Sequence, residues 1–183
     1  AGTIASRANA CGPSLPVVAA CAGSTLNIGE AYRSIKHGYS DVIISGGAES
    51  VCIPLAYAGF ANMKALTTAE TPDYSSLPFN KNRSGFVMGE GAAMLILEEY
   101  EHAIARGAKI YAEICGYGNS CDAYHFTAPR PDGTTQAAAI KEALVEAGYK
   151  SEDVLYINAH GTGTPMNDKI ETAAFKLALG EGA

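Results

Sequence analysis

The chain has 183 residues, of which 48% are hydrophobic, 17% are charged and 20 are glycine, and its formal net charge is −6. A domain of this length can bury about two-thirds of its unfolded surface, and the charged fraction is too low for a disordered chain, so we predict a soluble globular protein. The negative charge argues against a general nucleic-acid binder, and no segment approaches the roughly 20 continuous apolar residues of a membrane span.

The first predicted element is a helix over residues 22–37, directly after Cys21. From Ile28 to Ile35 the apolar residues recur at the i, i+3, i+4 and i+7 spacing of one helix face. Gly38 supplies the left-handed residue that commonly ends a helix. Cys21 therefore lies at a predicted helix start.

The rest of the chain is predicted to alternate between strands and helices. The short β-branched segment DVIISGGAES is typical of a strand buried on both faces. We then expect a short helix near 57–66 with a surface loop, a strand from Ala92 to Leu97, a short helix in EYEHAIARG, a strand in IYAEICGYGNS, a helix in TTQAAAIKEALVEAG, a strand in VLYINAHGTGT and a helix in DKIETAAFKLALG. This alternation predicts an α/β sheet that is mostly parallel at its centre.

Cys21 is the first candidate for chemistry. A helix start favours the thiolate, the form that attacks a carbonyl carbon, through the helix dipole and its free N–H groups. The small neighbours of Cys21 would admit a bulky thioester. Cysteine is also among the most buried residue types, so position alone leaves a nucleophile and a structural cysteine equally open.

His160 is the second candidate. The segment NAHGTGTPMND places it at the carboxyl end of a predicted strand, where open α/β sheets hold their sites. The glycines and threonines that follow would let a ligand chain approach closely. The loop lacks the Gly-Lys-Ser/Thr of a phosphate-binding loop, which argues against nucleotide binding.

The remaining cysteines and histidines do not predict a metal centre or a disulfide framework. The cysteine count of five is odd and includes no Cys-x-x-Cys pair, which favours a reducing compartment. Cys121 and His125 have a spacing that metal ligands can have, but no second pair accompanies them. We predict no catalytic metal.

Four segments together resemble the elongating β-ketoacyl-[acyl-carrier-protein] synthases of the thiolase fold, in that family's order, and cover essentially the whole chain. They are GPSLPVVAACAGSTLNIGEAYRSIKHGYSDVIISGGAE, PFNKNRSGFVMGEGAAMLILEEYEHAIARGAKIYAEICGYG, DAYHFTAP and NAHGTGTPMNDKIET. The AACAG and HGTGT pair is the most specific part of the resemblance, and it favours the nucleophile interpretation of Cys21.

The resemblance implies an α/β, thiolase-like fold that is five-layered, α-β-α-β-α, in the complete enzyme and partial in this chain. Residues 1–105 would be the end of the N-terminal half with the nucleophile helix, and residues 106–183 the start of the C-terminal half with the HGTGT loop. The chain starts without Met and shows no secretory signal, so we expect a mature form or a central segment. The family's second catalytic histidine, its lysine and its GFGG loop would follow residue 183.

The resemblance also implies roles for five residues. Cys21 would accept the acyl chain as a thioester, and its N–H would form half of an oxyanion hole. His160 would donate a hydrogen bond to the malonyl thioester oxygen. Thr162 and Thr164 match positions that contact the phosphopantetheine arm, and Phe60 matches a position that lines the acyl pocket.

The implied function is decarboxylative condensation of an acyl thioester with malonyl-carrier in fatty acid elongation. No cofactor would belong to the protein itself, because the acyl carrier protein brings the phosphopantetheine. The implied partners are that carrier, acyl and malonyl thioesters and a second copy of the chain, joined partly through the DVIISGG strand, with no nucleic acid and no membrane. Lys64 is a candidate for a basic patch that faces the acidic carrier. The expected location is the bacterial cytoplasm, or the plastid stroma or mitochondrial matrix of a eukaryote.

Two alternatives remain open. The first is a ketosynthase of a polyketide pathway, although polyketide domains usually have serines around the cysteine where this chain has ACAGS. The second is a non-catalytic partner subunit of the same fold. The presence of both Cys21 and His160 argues against such a subunit, which has no need of a nucleophile.

Overall fold

The computed structural model of the chain describes residues 1–182. Within them the helices and strands are α1 (Gly2–Ala8), α2 (Gly23–Lys36), β1 (Val42–Glu49), α3 (Pro54–Asn62), β2 (Gly91–Glu98), α4 (Tyr100–Ala105), α5 (Thr134–Ala147) and α6 (Pro165–Leu179). Short 3₁₀ turns lie at Ala20–Ala22, Pro72–Tyr74 and Ser151–Asp153. None of the helices in residues 1–182 is long and apolar enough to cross a membrane.

The chain forms two compact units. The first combines Ala1–Ala48 with Gly91–Ala112, and the second combines Glu49–Glu90 with the residues from Glu113 onward. The predicted division of the chain at residue 105 stays a prediction.

The sheet of the first unit consists of β1 and β2. The N–H of Glu99 donates to the carbonyl oxygen of Asp41 at 2.8 Å, so the end of β2 meets the start of β1. Gly46, late in β1, lies against Ala93, early in β2. The pair is therefore antiparallel, and the prediction of a mostly parallel centre is wrong for it. The reason is that the connection over residues 50–90 leaves and re-enters the pair at the same end.

Two glycines in β1 allow neighbouring elements to come close. A Cβ on Gly46, which has φ +154°, would collide with the carbonyl oxygen of Ala93. A Cβ on Gly47 would collide with the side chain of Ser24 in the first turn of α2. The Gly-Gly pair thus lets the start of α2 lie directly on the strand. Ala31 of α2 and Leu97 of β2 are buried in this unit.

The core of the second unit lies between α5 and α6, which pack on each other. Ala137, Ile170 and Ala174 are buried there. The small side chains of Ala137 and Ala174 let the two helix backbones approach closely. The helix predicted near 57–66 is α3, and it begins earlier because Pro54 occupies the first helical turn, where its missing N–H has no cost.

The strand predicted in IYAEICGYGNS is not formed in the structure. Instead, the N–H of Tyr117 donates to the Glu146 carboxylate of α5 at 2.8 Å. A Cβ on Gly116 would collide with the carbonyl oxygen of Ala143, so this segment lies directly on α5. Contact with a helix takes the place of strand pairing.

The strand predicted in VLYINAHGTGT is also not formed. Leu155 is 97% exposed and Tyr156 is 79% exposed, so neither side chain is covered as a central strand would require. A strand exists only where another strand pairs with it, and none of residues 1–182 provides that partner here.

Candidate active site

Cys21 lies on an exposed and strained turn immediately before α2. It is the middle residue of the 3₁₀ turn Ala20–Ala22, and its thiol is free and exposed. Ala20 has φ 45°, a left-handed conformation that costs an L-residue other than glycine about 1–2 kcal/mol. Such strain often marks a functional site. The turn presents the thiol at the positive end of the helix dipole, as the sequence predicts.

Asn27 holds the segment that leads into this turn. Its Oδ1 accepts the N–H of Val17 at 2.8 Å, and its Nδ2 donates to the carbonyl oxygen of Val17 at 3.2 Å. This residue was not identified from the sequence. An asparagine inside an otherwise regular helix pattern was the available signal, because asparagine is a poor residue for a helix interior.

His160 lies on an exposed loop whose backbone is held by one carboxylate of α6. The N–H of His160 donates to Glu171 Oε1 at 2.6 Å, and the N–H of Gly161 donates to Glu171 Oε2 at 2.9 Å. Both bonds use the backbone, so neither occupies the imidazole ring. Gly161 has φ 51°, which glycine adopts without strain. The carboxylate therefore fixes the direction of the loop at His160.

Asp168 anchors the same loop from inside the protein. Its side chain is 1% exposed. Oδ1 accepts the N–H of Gly163 at 3.1 Å, Oδ2 accepts the N–H of Phe79 at 2.6 Å, and Arg83 Nε lies 3.5 Å from Oδ2. A buried carboxylate is tolerated only when it is paired and hydrogen-bonded, and Asp168 satisfies both conditions.

Arg83 joins the PFNKNRSG segment to the loop. Its guanidinium donates to the carbonyl oxygens of Thr164 at 3.2 Å, Pro165 at 2.8 Å and Asn80 at 3.0 Å. The sequence alone assigns this segment no role at the site. The rigid, planar donor fork of arginine suits several acceptors at once, and this makes PFNKNRSG a support of the His160 loop.

Thr162 and Thr164 form a short chain of hydroxyl groups in the loop. Their Oγ1 atoms are 2.8 Å apart. Thr164 Oγ1 also accepts the N–H of Asn167 at 3.3 Å and so caps the N-terminus of α6. Thr164 therefore has a structural role in addition to the phosphopantetheine contact that the resemblance implies.

Phe60 lies in α3, half-buried, with its ring edge against Phe86. The ring centroids are 5.3 Å apart and the planes meet at 80°. Nearby in α3, a hydrogen bond with the Cys52 thiol raises the pKa of Tyr57 above its ordinary value. An aromatic pair is a suitable wall for an acyl chain, and the role of Phe60 stays a prediction.

The five predicted site residues fall in both compact units. Cys21 belongs to the first unit. The second unit contains His160, Thr162 and Thr164 on one loop and Phe60 on α3. Their catalytic and binding roles stay predictions.

His125 is used within its own loop. Its Nδ1 accepts the N–H groups of Thr127 at 3.2 Å and Ala128 at 3.1 Å, so this nitrogen is engaged in hydrogen bonds within the loop. Within residues 1–182, no group of three or more His, Cys, Asp or Glu side chains is arranged to hold a metal ion. The absence of a catalytic metal stays a prediction.

Two family descriptions cover nearly the whole chain. Residues 1–103 match "Beta-ketoacyl synthase, N-terminal domain", and residues 111–183 match "Beta-ketoacyl synthase, C-terminal domain". The chain belongs to the β-ketoacyl synthase family. The resemblance drawn from the AACAG and HGTGT segments is confirmed.

Two curated relatives of this β-ketoacyl synthase chain share a name. The chain is 52% identical over 183 residues to the 3-oxoacyl-[acyl-carrier-protein] synthase 2 of Synechocystis. This match covers all of the chain and 44% of the relative. The chain is 49% identical over 171 residues to the Vibrio cholerae protein of the same name, covering 93% of this chain and 41% of the relative. The chain thus spans less than half the length of these relatives.

Solved structures confirm the predicted fold class of the β-ketoacyl synthase chain. It is similar, with a TM-score of 0.95 and 38% identity, to a chain in a complex described as a type II PKS acyl-carrier protein with its ketosynthase bound to the hexaketide. The match covers all of this chain and 45% of that one. The fold is therefore the α/β thiolase-like fold, present here in part.

Proposed function

We propose that the full-length protein is a 3-oxoacyl-[acyl-carrier-protein] synthase that elongates fatty acids. The family membership and the shared name of relatives at 52% and 49% identity support this proposal. The reaction is a decarboxylative Claisen condensation between an acyl thioester and malonyl-carrier protein.

The first step is transfer of the acyl group to Cys21. The Cys21 thiolate attacks the acyl thioester, the Sγ–acyl bond forms, the carrier's C–S bond breaks, and the phosphopantetheine sulfur leaves as a thiolate. The observation that carries this step is the exposed Cys21 on a strained turn at the start of α2. The N–H of Cys21 stabilises the developing oxyanion as one half of the oxyanion hole.

The second step forms the new carbon–carbon bond. Malonyl-carrier loses CO₂, and the resulting carbanion attacks the thioester carbonyl on Cys21, which leaves as thiolate. His160 donates a hydrogen bond to the malonyl thioester oxygen and stabilises the enolate charge. The Glu171 bonds to the loop backbone support this role because they fix the loop without using the ring.

The remaining assignments concern binding and partners. Thr162 and Thr164 contact the phosphopantetheine arm, and Phe60 lines the acyl pocket. The carrier protein brings that arm, so the enzyme needs no cofactor of its own. We further propose that the enzyme is a homodimer, that Lys64 contributes to the carrier surface, and that the enzyme works in the bacterial cytoplasm or in an organelle stroma or matrix.

The test of the proposed function is acyl-enzyme formation in the full-length protein. The wild type incubated with acyl-carrier protein should gain the mass of one acyl group in intact mass spectrometry. Cys21→Ala should gain none, whereas Cys11→Ala, which removes another exposed thiol, should behave as the wild type. An acylated Cys21→Ala protein would contradict the proposal.

The second candidate is a polyketide ketosynthase. The structural similarity to a chain of the type II PKS complex favours it. The two functions differ in product, because a fatty acid synthase releases the 3-oxoacyl chain for reduction after each condensation. Accumulation of unreduced chains extended by several condensations would favour the polyketide function.

A further inference from the structure

Asn27 occupies a helix position that its residue type disfavours. Inside a helix, asparagine competes with the backbone for hydrogen bonds and lowers helix propensity. Here the amide reaches outside the helix and pairs with both polar atoms of Val17, at 2.8 Å and 3.2 Å. This is the two-bond pattern that a residue directly opposite Val17 in an antiparallel strand would make. Both residues are half-buried.

The two bonds close a loop of chain that contains Cys21. The loop runs from Val17 to Asn27 and includes the left-handed Ala20 and the 3₁₀ turn. A left-handed alanine persists only where its surroundings fix it. On one side the turn continues into α2, and Ala22 N–H donates back to the carbonyl oxygen of Ala19 at 3.0 Å. On the other side the Asn27 amide fixes Val17.

We propose that Asn27 is a positioning residue for Cys21. By holding Val17 against α2, it keeps Ala20 in its strained conformation and the thiol at the helix start. Asn27 acts through the turn and not on the substrate. The inference rests on the proposed function, since placement of the thiol matters for catalysis only if Cys21 is the nucleophile.

The proposal predicts a loss of rate at one cysteine. Asn27→Leu replaces the amide with a side chain of similar size that has no hydrogen-bonding group. Both bonds to Val17 are then lost, and the segment before the turn is no longer held against α2. Misplacement of a nucleophile by about 1 Å lowers its rate by up to about 100-fold, so we expect acylation of Cys21 to slow by about 10-fold or more. The KM for acyl-carrier protein should change little, because the carrier still binds.

The measurement is alkylation of the full-length protein by iodoacetamide, followed by mass spectrometry of peptides. Cys11 and Cys52 are exposed like Cys21 and serve as internal references. We expect Asn27→Leu to slow alkylation at Cys21 alone. Glu30→Gln, which changes an exposed side chain of the same helix, should leave all three rates at their wild-type values.

Asn27→Asp keeps the experiment decisive if Asn27→Leu fails to fold. The aspartate retains the acceptor for Val17 N–H but places an oxygen against the Val17 carbonyl, so Cys21 should again slow selectively. Wild-type alkylation and acylation rates at Cys21 in the variant that folds would overturn the proposal, and so would equal changes at all three cysteines. Retained acylation in Cys21→Ala would instead contradict the proposed function. The alkylation rate of Cys21 relative to Cys11 and Cys52 would still show whether Asn27 positions the thiol.

Discussion

At the scale of single residues, the candidate site depends on side chains that bind backbone groups. Asn27 holds Val17, Glu171 holds the N–H groups at His160, and Asp168 holds those of Gly163 and Phe79. In each case the reactive or ligand-binding side chain is left out of the supporting bonds. Substitution of these supporting residues should therefore lower reaction rates without changing which residues react.

Glu171→Gln should weaken the malonyl step and spare acylation of Cys21. The amide retains one acceptor for the two N–H groups of the loop and turns a donor toward the other. Losing a hydrogen bond to a charged group costs about 1.5–3 kcal/mol. If about 1.4 kcal/mol of this is lost from transition-state stabilisation because the His160 loop shifts, decarboxylation slows by about 10-fold. The measurement is release of labelled CO₂ from malonyl-carrier protein.

Glu152→Gln is the matched control for this variant. The substitution is the same, but Glu152 pairs with Lys150 on the surface at 3.6 Å, and such exposed pairs contribute little to stability. It should decarboxylate at the wild-type rate. If Glu171→Gln did so too, the carboxylate would have no part in placing His160.

At the scale of elements, the start of α6 organises the His160 loop. Thr164, Asp168 and Glu171 follow one another at intervals of four and three residues, so they lie on one face of the helix. Carboxylates near a helix N-terminus are also stabilised by the helix dipole. One helix start thus supplies the cap, the buried anchor and the backbone acceptor of the loop.

The contact between β2 and α4 should depend on pH. Hydrogen bonds from Arg106, and then from His102, lower the pKa of Glu98 to about 2 from its ordinary 4.5. Because the folded-state pKa is depressed, the stabilisation is fully present above about pH 4.5 and is lost as the pH falls toward 2. The measurement is the free energy of unfolding of the wild type and of Glu98→Gln at pH 7 and at pH 3.

The difference between the two proteins should be largest at pH 7 and should shrink at pH 3. Glu101→Gln, an exposed substitution within α4, controls for the general effect of removing one negative charge. A difference for Glu98→Gln that stays constant between the two pH values would show that its carboxylate is not linked to folding in this way.

At the scale of the whole molecule, the sequence predicted helices better than it predicted strands. The helices α2, α5 and α6 follow from apolar spacing and end residues such as Gly38 and Gly148, which act within a few positions. The segments 110–120 and 154–164 have strand-like composition, but neither forms a β-strand within residues 1–182, because strand pairing depends on residues that are distant in the sequence.

The residues of the candidate site also differ in how far the sequence predicts them. Cys21 and His160 could be found because each lies in a short motif next to a recognisable element. Their supports could not, because the bonds span long separations: 10 residues from Val17 to Asn27 and 89 from Phe79 to Asp168. Only the folded chain shows which asparagine and which carboxylates act together with the motifs.

The central claim is that Cys21 carries the acyl group that malonyl-carrier protein extends. The most direct measurement isolates the acylated full-length enzyme, adds labelled malonyl-carrier protein, and follows the acyl mass on the peptide that contains Cys21. In the wild type we expect that mass to disappear while CO₂ and a 3-oxoacyl-carrier product two carbons longer appear together. In His160→Ala we expect the acyl mass to persist on Cys21. An acyl group on any other peptide, or one that stays on Cys21 in the wild type while product forms, would contradict the account.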